Sequence, residues 1–264
     1  MKYQLRDYQK KASDAAVMYF KMKSGRNGLL VLPTGAGKSL IIADIAARLE
    51  EPLIVFQPNK EILEQNFAKL QTYGIWDCSI YSASVGRKEI SRITFATIGS
   101  VIRHMKDFQH FKNILIDECH LVKPSDGMYK RFFEQAERRI VGLTATPYRL
   151  YSCMNGSMLK FLTRTRPRVF SQVLYYCQVS ELLAKGFLSR LKYYDVTRID
   201  LTKVRRNSSG ADFDDASLSD EFRRVDLYGY LISIVKRLLH PKVGGARKLS
   251  LIHISEPTRL GMIS

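Results

Sequence analysis

Apolar residues along this chain fall into two alternating textures. One is a short unbroken run: Leu29-Leu30-Val31-Leu32, Leu53-Ile54-Val55-Phe56, Ile114-Leu115-Ile116 and Ile140-Val141-Gly142-Leu143. Runs of that length without polar alternation suit strands covered on both faces. Shorter candidate strands lie at Cys78–Tyr81 and Ile93–Ala96. The other texture is helical spacing. Leu5 to about Lys23 brings Tyr8, Ala12, Ala15 and Tyr19 near one face, and Lys38 to about Leu49 reads as a second helix. A third begins at Gln57-Pro58-Asn59-Lys60-Glu61 and carries Ile62, Leu63, Phe67 and Leu70; a fourth spans about Tyr129–Ala136. Strands alternating with helices at this interval predict βαβ units, hence an α/β fold with a parallel sheet sandwiched by helices.

From Tyr148 the texture changes. The pattern predicts a helix near Met158–Thr163, a strand at Gln172–Tyr175, a helix at Ser180–Lys185 stopped by Gly186, and a strand at about Leu191–Val196. Asn207-Ser208-Ser209-Gly210 reads as a solvated loop, and Glu221 to about Leu239 as one helix. The Tyr175-Tyr176 and Tyr193-Tyr194 pairs offer stacking surfaces for bases, with core or edge-strand packing as the alternative.

The last stretch, 249–264, follows none of this logic. Leu249-Ser250-Leu251-Ile252-His253-Ile254-Ser255-Glu256-Pro257-Thr258-Arg259 resembles the conceptual translation of a transposase-type sequencing adapter. It reads as a non-native, adapter-derived tail, a genuine strand with a loose end being the alternative, and the natural reading frame is expected to continue past Lys248.

Composition narrows the function classes. The chain has 264 residues and is 45% hydrophobic, enough for one large core or two modest ones. Its formal charge of +17 favours a polyanionic partner, nucleic acid above all. No apolar run is long enough to span a membrane, and no signal region opens the chain, so a cytoplasmic protein is expected. The cysteines at 78, 119, 153 and 177 lack metal-site spacing and read as reduced thiols.

Candidate chemistry sits just after the strands, where open α/β sheets bind ligands. Leu32-Pro33-Thr34-Gly35-Ala36-Gly37-Lys38-Ser39 joins an apolar run to a helix through two glycines. Such a loop turns backbone N–H groups inward, and the positive helix N-terminus faces the same spot. Lys38 can then reach the β- and γ-phosphates of a nucleotide, and the Ser39 hydroxyl can bind Mg²⁺. A glycine turn capping a helix is the plainer alternative. Ile114-Leu115-Ile116-Asp117-Glu118-Cys119-His120 delivers two acids at a later strand end, suited to holding Mg²⁺ and activating water.

Together, Pro33-Thr34-Gly35-Ala36-Gly37-Lys38-Ser39, Asp117-Glu118-Cys119-His120 and Thr144-Ala145-Thr146 resemble motifs I, II and III of superfamily 2 helicases, the DEAD/DEAH-box group. Leu5-to-Gln9 resembles the adenine-reading motif, and Pro58 to Gln65 the motif called Ia. Thr94 to Ser100 resembles the next strand-end motif, which touches the nucleic-acid backbone. The resemblance is dense over about residues 3–150 and implies a RecA-like ATP-binding domain at 1–150. It further implies that Thr34, Gly35, Ala36, Gly37, Lys38 and Ser39 hold ATP, that Gln9 reads adenine, and that Ser39 and Asp117 hold Mg²⁺. Lys38, Asp117 and Glu118 become the catalytic set, with Glu118 as the base for water. Thr144, Thr146 and His120 would couple nucleotide state to the strand-binding groove, strand-end hydrogen bonding being the alternative for the threonines.

Asn59, Lys60, Thr97 and Ser100 are the expected phosphate contacts, with a solvated helix start as the alternative for Asn59 and Lys60. Cys119 reads as a small core residue. Residues 151–248 resemble the connector that follows the first domain in helicases related to type III restriction subunits. Nothing after Leu150 matches the arginine-rich motif of the group's second RecA-like domain, so a partner domain is expected downstream. The resulting expectation is an ATP-dependent DNA helicase or translocase present as its N-terminal part. An RNA helicase, and an ATP- and nucleic-acid-binding module without turnover, are the alternatives.

Overall fold

The four-residue apolar runs become strands because both of their faces are covered. The computed structural model describes residues 4–22, 26–153, 156–190, 200–206 and 213–239. The chain divides into two compact units, 1–190 and 191–264.

In the first unit, strands β1 (Gly28–Val31), β2 (Leu53–Phe56), β3 (Cys78–Ser82), β4 (Arg87–Lys88), β5 (Ile93–Ala96), β6 (Asn113–Ile116) and β7 (Arg139–Thr144) follow in chain order. A separate hairpin of β8 (Tyr148–Cys153) and β9 (Gly156–Phe161) comes next, then β10 (Gln172–Tyr176). The main sheet has the order β10-β1-β7-β6-β2-β5-β3-β4. Every pairing in it is parallel except the short antiparallel one between β3 and β4.

Side chains alternate across a strand, so each run feeds two cores. On one face Leu30, Val55, Leu115 and Val141 meet α1 (Asp7–Lys21), α2 (Lys38–Arg48) and α3 (Lys60–Thr72) through Phe20, Ile41, Ile45, Leu63 and Leu70. On the other face Leu29, Ile54, Phe56, Ile114 and Ile140 pack with Val101 of α4 (Ile98–Val101), Phe132 of α5 (Met128–Phe133), Phe108 and Phe170. Phe132 meets Phe56 edge-on, with centroids 5.3 Å apart. Because the strands are parallel, the ends of β1, β2, β5, β6 and β7 bring the loop at 33–39, Gln57, Thr97, Asp117 and Thr144 to one edge of the sheet.

Several expectations are corrected. The helix expected at Met158–Thr163 is instead β9, paired over six residues with β8, followed by a 3-10 turn at Leu162–Arg164. Cross-strand hydrogen bonds to a neighbour already in place decide between two conformations the local sequence allows. Its Met158, Leu159 and Phe161 are exposed, which fits a hairpin lying outside the core. Beyond residue 150, β10 joins the main sheet beside β1, and α6 (Val179–Ala184) follows it. Tyr175 packs against the core while Tyr176 is exposed on this edge strand.

In the second unit the single helix expected over 221–239 is two, α7 (Asp215–Arg224) and α8 (Leu227–Leu239). Asp226 breaks them with φ +45°, and its Oδ1 accepts from the Gly229 N–H at 3.3 Å. Aspartate both tolerates the left-handed region and caps the next helix. Val204, Leu218, Phe222 and Leu227 form this unit's own small core. The strand expected at 191–196, the loop at 207–210, the Tyr193-Tyr194 pair and the tail at 249–264 lie outside the described residues. Among the described residues no helix is long and apolar enough to cross a membrane.

Gly142, in the middle of β7, tests how closely the second face is packed. A Cβ there would lie 2.6 Å from Cys119 Sγ and 2.8 Å from Phe170 Cε1. Cys119 is fully buried and has no room to give. Gly142→Ala should therefore destabilise the chain by about 1–3 kcal/mol, read as a lowered melting temperature in calorimetry.

Candidate functional site

The loop between β1 and α2 is bent by its two glycines and then tied down by α1. Gly35 has φ +81° and Gly37 φ +76°, a region that favours glycine. A Cβ on Gly37 would sit 2.5 Å from Gln9 Nε2. Between the glycines, the Ala36 carbonyl accepts two hydrogen bonds, from Tyr8 Oη and from Gln9 Nε2, each at 2.9 Å. Gln9 Oε1 in turn accepts from the Arg6 N–H at 2.9 Å. The strand side is pinned as well, by the Leu32 N–H on the Thr144 carbonyl at 2.9 Å. Thr34 and Gly35 stay exposed, and Lys38 and Ser39 are half-buried at the start of α2. The first N–H groups of a helix have no acceptor within it, so this bend presents donors to an anion.

The charged centre joins three strand ends. The Lys38 ammonium, from the start of α2, is paired with Glu118 Oε1, from the end of β6. Glu118 Oε2 lies 3.3 Å from His120 Nδ1, which is also 3.0 Å from Thr144 Oγ1 at the end of β7. Thr144 Oγ1 accepts from the Thr146 N–H at 3.0 Å. One connected chain thus runs Lys38, Glu118, His120, Thr144, Thr146. Glu118 holds a left-handed backbone, φ 48° and ψ 47°, which turns its side chain toward Lys38. Burial alone would raise the Glu118 carboxyl, but the bonds to His120 and Lys38 outweigh it and bring it down to about 2.

Asp117 is 6% exposed, and each of its oxygens has a protein donor. The Glu118 N–H reaches Oδ1 at 3.0 Å, and Asn66 Nδ2 reaches Oδ2 at 3.3 Å. Burial pushes this carboxyl up from its ordinary value; Lys38 pulls against it and the Glu118 charge adds to it. Lys38, Ser39, Asp117 and Glu118 supply the ammonium, hydroxyl and carboxylate set that a phosphate chain with a divalent cation requires. Asp117 and Glu118 line an open hollow of about 450 Å³, and this donor set beside the helix-start N–H groups fits such a group.

The four expected nucleic-acid contacts gather elsewhere on the same edge. Asn59, Lys60, Thr97 and Ser100 all line a cleft of about 470 Å³, together with Lys88, Arg103 and His104. Asn59 caps α3, its Oδ1 accepting from the Ile62 N–H at 2.9 Å. Thr97 Oγ1 lies 2.9 Å from Ser100 Oγ and 3.2 Å from Ser82 Oγ, and Ser100 Oγ accepts from the Ala83 N–H at 2.8 Å. The hydroxyls therefore hold one another, while Lys60, Lys88 and Arg103 stand exposed. A second hollow of about 450 Å³, lined by Gln57, Asp117, Glu118 and Tyr129, shares Pro58, Thr97 and Gly99 with the first.

Sequence reasoning missed several members. Arg149 Nε donates to the His120 carbonyl at 2.7 Å, fixing the turn after Glu118. Phe187 packs on Tyr8 with centroids 5.8 Å apart, and the Arg6 guanidinium lies 4.2 Å over its ring. Leu188 reaches Gly35, where a Cβ would meet its Cδ2 at 3.0 Å. No local signal marks Phe187 and Leu188, whose neighbours are more than a hundred residues away in sequence. Asn66 did leave a sign, as a polar residue within an apolar helical stripe.

Known proteins share this region. The chain is 30% identical over 151 residues to the protein named DNA 3'-5' translocase XPB2 from Sulfurisphaera tokodaii, covering 56% of this chain and 32% of that one. It is 29% identical over 154 residues to DNA 3'-5' helicase XPB from Mycobacterium tuberculosis, covering 54% and 27%. The chain thus spans about a third or less of the length of these curated relatives. Among solved structures, a nuclease-deletion mutant of the Type ISP restriction-modification enzyme LlaGI, in complex with a DNA substrate mimic, superposes with a TM-score of 0.51 at 16% identity. It covers 70% of this chain and 21% of that one, and at that identity it speaks for the fold alone. Residues 2–149, more than half of the chain, match the family described as type III restriction enzyme, res subunit, and the chain belongs to that family.

Proposed function

We propose that this chain is the nucleotide-binding part of an ATP-dependent DNA translocase or helicase, and that 1–190 is one wall of its ATPase site. The observation that carries the reading is the chain from Lys38 through Glu118 and His120 to Thr144 and Thr146. It connects the anion-binding loop to the ends of β6 and β7 on the sheet edge that also holds the basic cleft. The relatives' names, DNA 3'-5' translocase and helicase, supply the substrate class.

In this reading the phosphates of ATP take Lys38 from Glu118. Withdrawing Lys38 removes one of the two partners that hold the Glu118 carboxyl at about 2, and so raises its basicity toward the range useful for taking a proton from water. Ser39 and Asp117 would hold Mg²⁺, which neutralises phosphate charge when bound. Tyr8 and Gln9 keep the loop bent, and Gln9, buried beside Ala36, would read adenine through the amide N–H not given to the Ala36 carbonyl. Freed from its shared pairing, the Glu118 carboxylate changes its claim on His120, and the His120–Thr144 contact carries that change to β7. Lys60, Lys88 and Arg103 would face the phosphates of a strand in the cleft, with Asn59, Thr97 and Ser100 shaping its wall. The unit after Arg190 is proposed as the start of a connector to a second motor domain.

Three measurements test this. Lys38→Ala should abolish measurable binding of a fluorescent ATP analogue while leaving the circular dichroism spectrum unchanged, because Lys38 faces ligand and not core. Unaltered affinity would overturn the assignment of the loop.

Binding of single-stranded DNA should weaken steeply with salt, log K changing by about −0.7 per neutralised phosphate per unit of log salt. Lys60→Gln, Lys88→Gln and Arg103→Gln together should flatten that slope in a filter-binding titration, and an unchanged slope would place the strand elsewhere.

The chain should bind ATP yet barely hydrolyse it. The groups described all approach from one side, and an arginine supplied across a cleft contributes about 10³–10⁵ in rate, or roughly 4–7 kcal/mol. Phosphate release should stay near background with and without single-stranded DNA. DNA-stimulated turnover by this chain, abolished by Glu118→Gln, would show that the site is already whole.

A further inference from the structure

Asn66 is the misfit of α3. The buried residues of that helix are otherwise Leu63, Phe67 and Leu70, yet Asn66 stands among them only 3% exposed. An amide taken out of water costs free energy unless it is bonded, and an apolar residue would have satisfied the stripe without that cost. The bond that accounts for it is Nδ2 to Asp117 Oδ2, 3.3 Å, between two residues that are both nearly sealed from solvent. The other oxygen of Asp117 is held by the Glu118 N–H at 3.0 Å. One donor on each oxygen fixes the rotation of the carboxylate about its Cβ–Cγ bond. With the Glu118 N–H alone, the second oxygen would have no donor among the described residues to set it.

We infer that Asn66 is a positioning residue for the acid that would hold Mg²⁺: it sets the plane of the Asp117 carboxylate before the cation arrives. The inference rests on the nucleotide reading proposed above. Groups that orient a metal-binding side chain in this way typically contribute 10–100-fold to metal affinity. The position gives the bond a second consequence. Asn66 lies seven residues, roughly 10 Å along the helix axis, from Asn59 and near the same face. Asn59 and Lys60 line the basic cleft, so one rigid helix touches both the cleft and the acid.

The test uses a fluorescent ATP analogue, titrated into this chain with excess Mg²⁺ and again with EDTA. Asn66→Leu removes the donor and suits the apolar stripe, so a merely structural role predicts a stable fold with unchanged metal dependence. The inference predicts instead that the Mg²⁺-dependent gain in affinity falls 10–100-fold, while affinity in EDTA stays within about twofold of the unaltered chain. Mn²⁺ replacing Mg²⁺, with free metal counted by its EPR signal, should show the same loss directly. Asn66→Ala serves as the second variant, with folding of both checked by thermal melting. A folded variant that keeps the full metal-dependent gain overturns the inference. Failure of both variants to fold also overturns it, by making Asn66 a structural residue. If the unaltered chain shows affinity for the analogue but no metal-dependent gain, the metal assignment of Asp117 falls; if it shows no affinity at all, the nucleotide reading falls with it.

Discussion

Lys38 and Glu118 stand 80 residues apart in sequence and meet where the sheet's strands stop. Neither charge can be left half-buried without a partner, so the pair determines what else the edge of the sheet can do. A ligand that offered Lys38 a better anion, such as the polyphosphate proposed above, would separate it from Glu118. Glu118 is kept in place by its left-handed backbone and by His120, so separation frees the lysine without losing the acid. The Ala36 carbonyl is the second fixed point. With two donors from α1 on one oxygen, the loop is bent before any ligand arrives, and binding need not supply that ordering.

Much of this was legible in the chain because its signals are local. Leu29 to Leu32 and Leu53 to Phe56 read as doubly covered strands with no knowledge of their neighbours. Lys38, Asp117, Glu118 and Thr144 were marked by following such strands, and the sheet gathered them as parallel topology demands. Met158 to Thr163 was misread since its residues suit helix and strand alike, and pairing with 148–153 decided the matter. Asp226 interrupted a periodicity that otherwise continues through it, because one residue's backbone angle is invisible in the pattern. Phe187, Leu188 and Arg149 were missed for a third reason: their meaning lies wholly in residues distant along the chain.

The hydroxyls of the basic cleft are already bonded within its wall. Thr97 and Ser100 were expected as phosphate contacts, and they do line the cleft. Their oxygens nevertheless bond to each other, to Ser82 and to the Ala83 N–H, which ties the end of β5 to the end of β3. The exposed charge beside them comes from Lys60, Lys88 and Arg103. A hydroxyl can both give and accept, so its bonding within the wall leaves it a further acceptor site toward the cleft.

The placement of β1 also bears on how the protein is made. Gly28 pairs with Val141 on one side and with Gln172 on the other. A chain emerging from its N-terminus therefore presents the loop strand long before either neighbour exists, with both rows of backbone hydrogen-bonding groups open. Helices α1 and α2 can cover one face of it early, but its edges must wait. Pairings so far apart in sequence carry a loop-closure cost that must be met before they form. The strand that delivers the glycine loop is thus synthesised long before its neighbours, and a chain interrupted before Gln172 would leave one edge of β1 without the strand that covers it here.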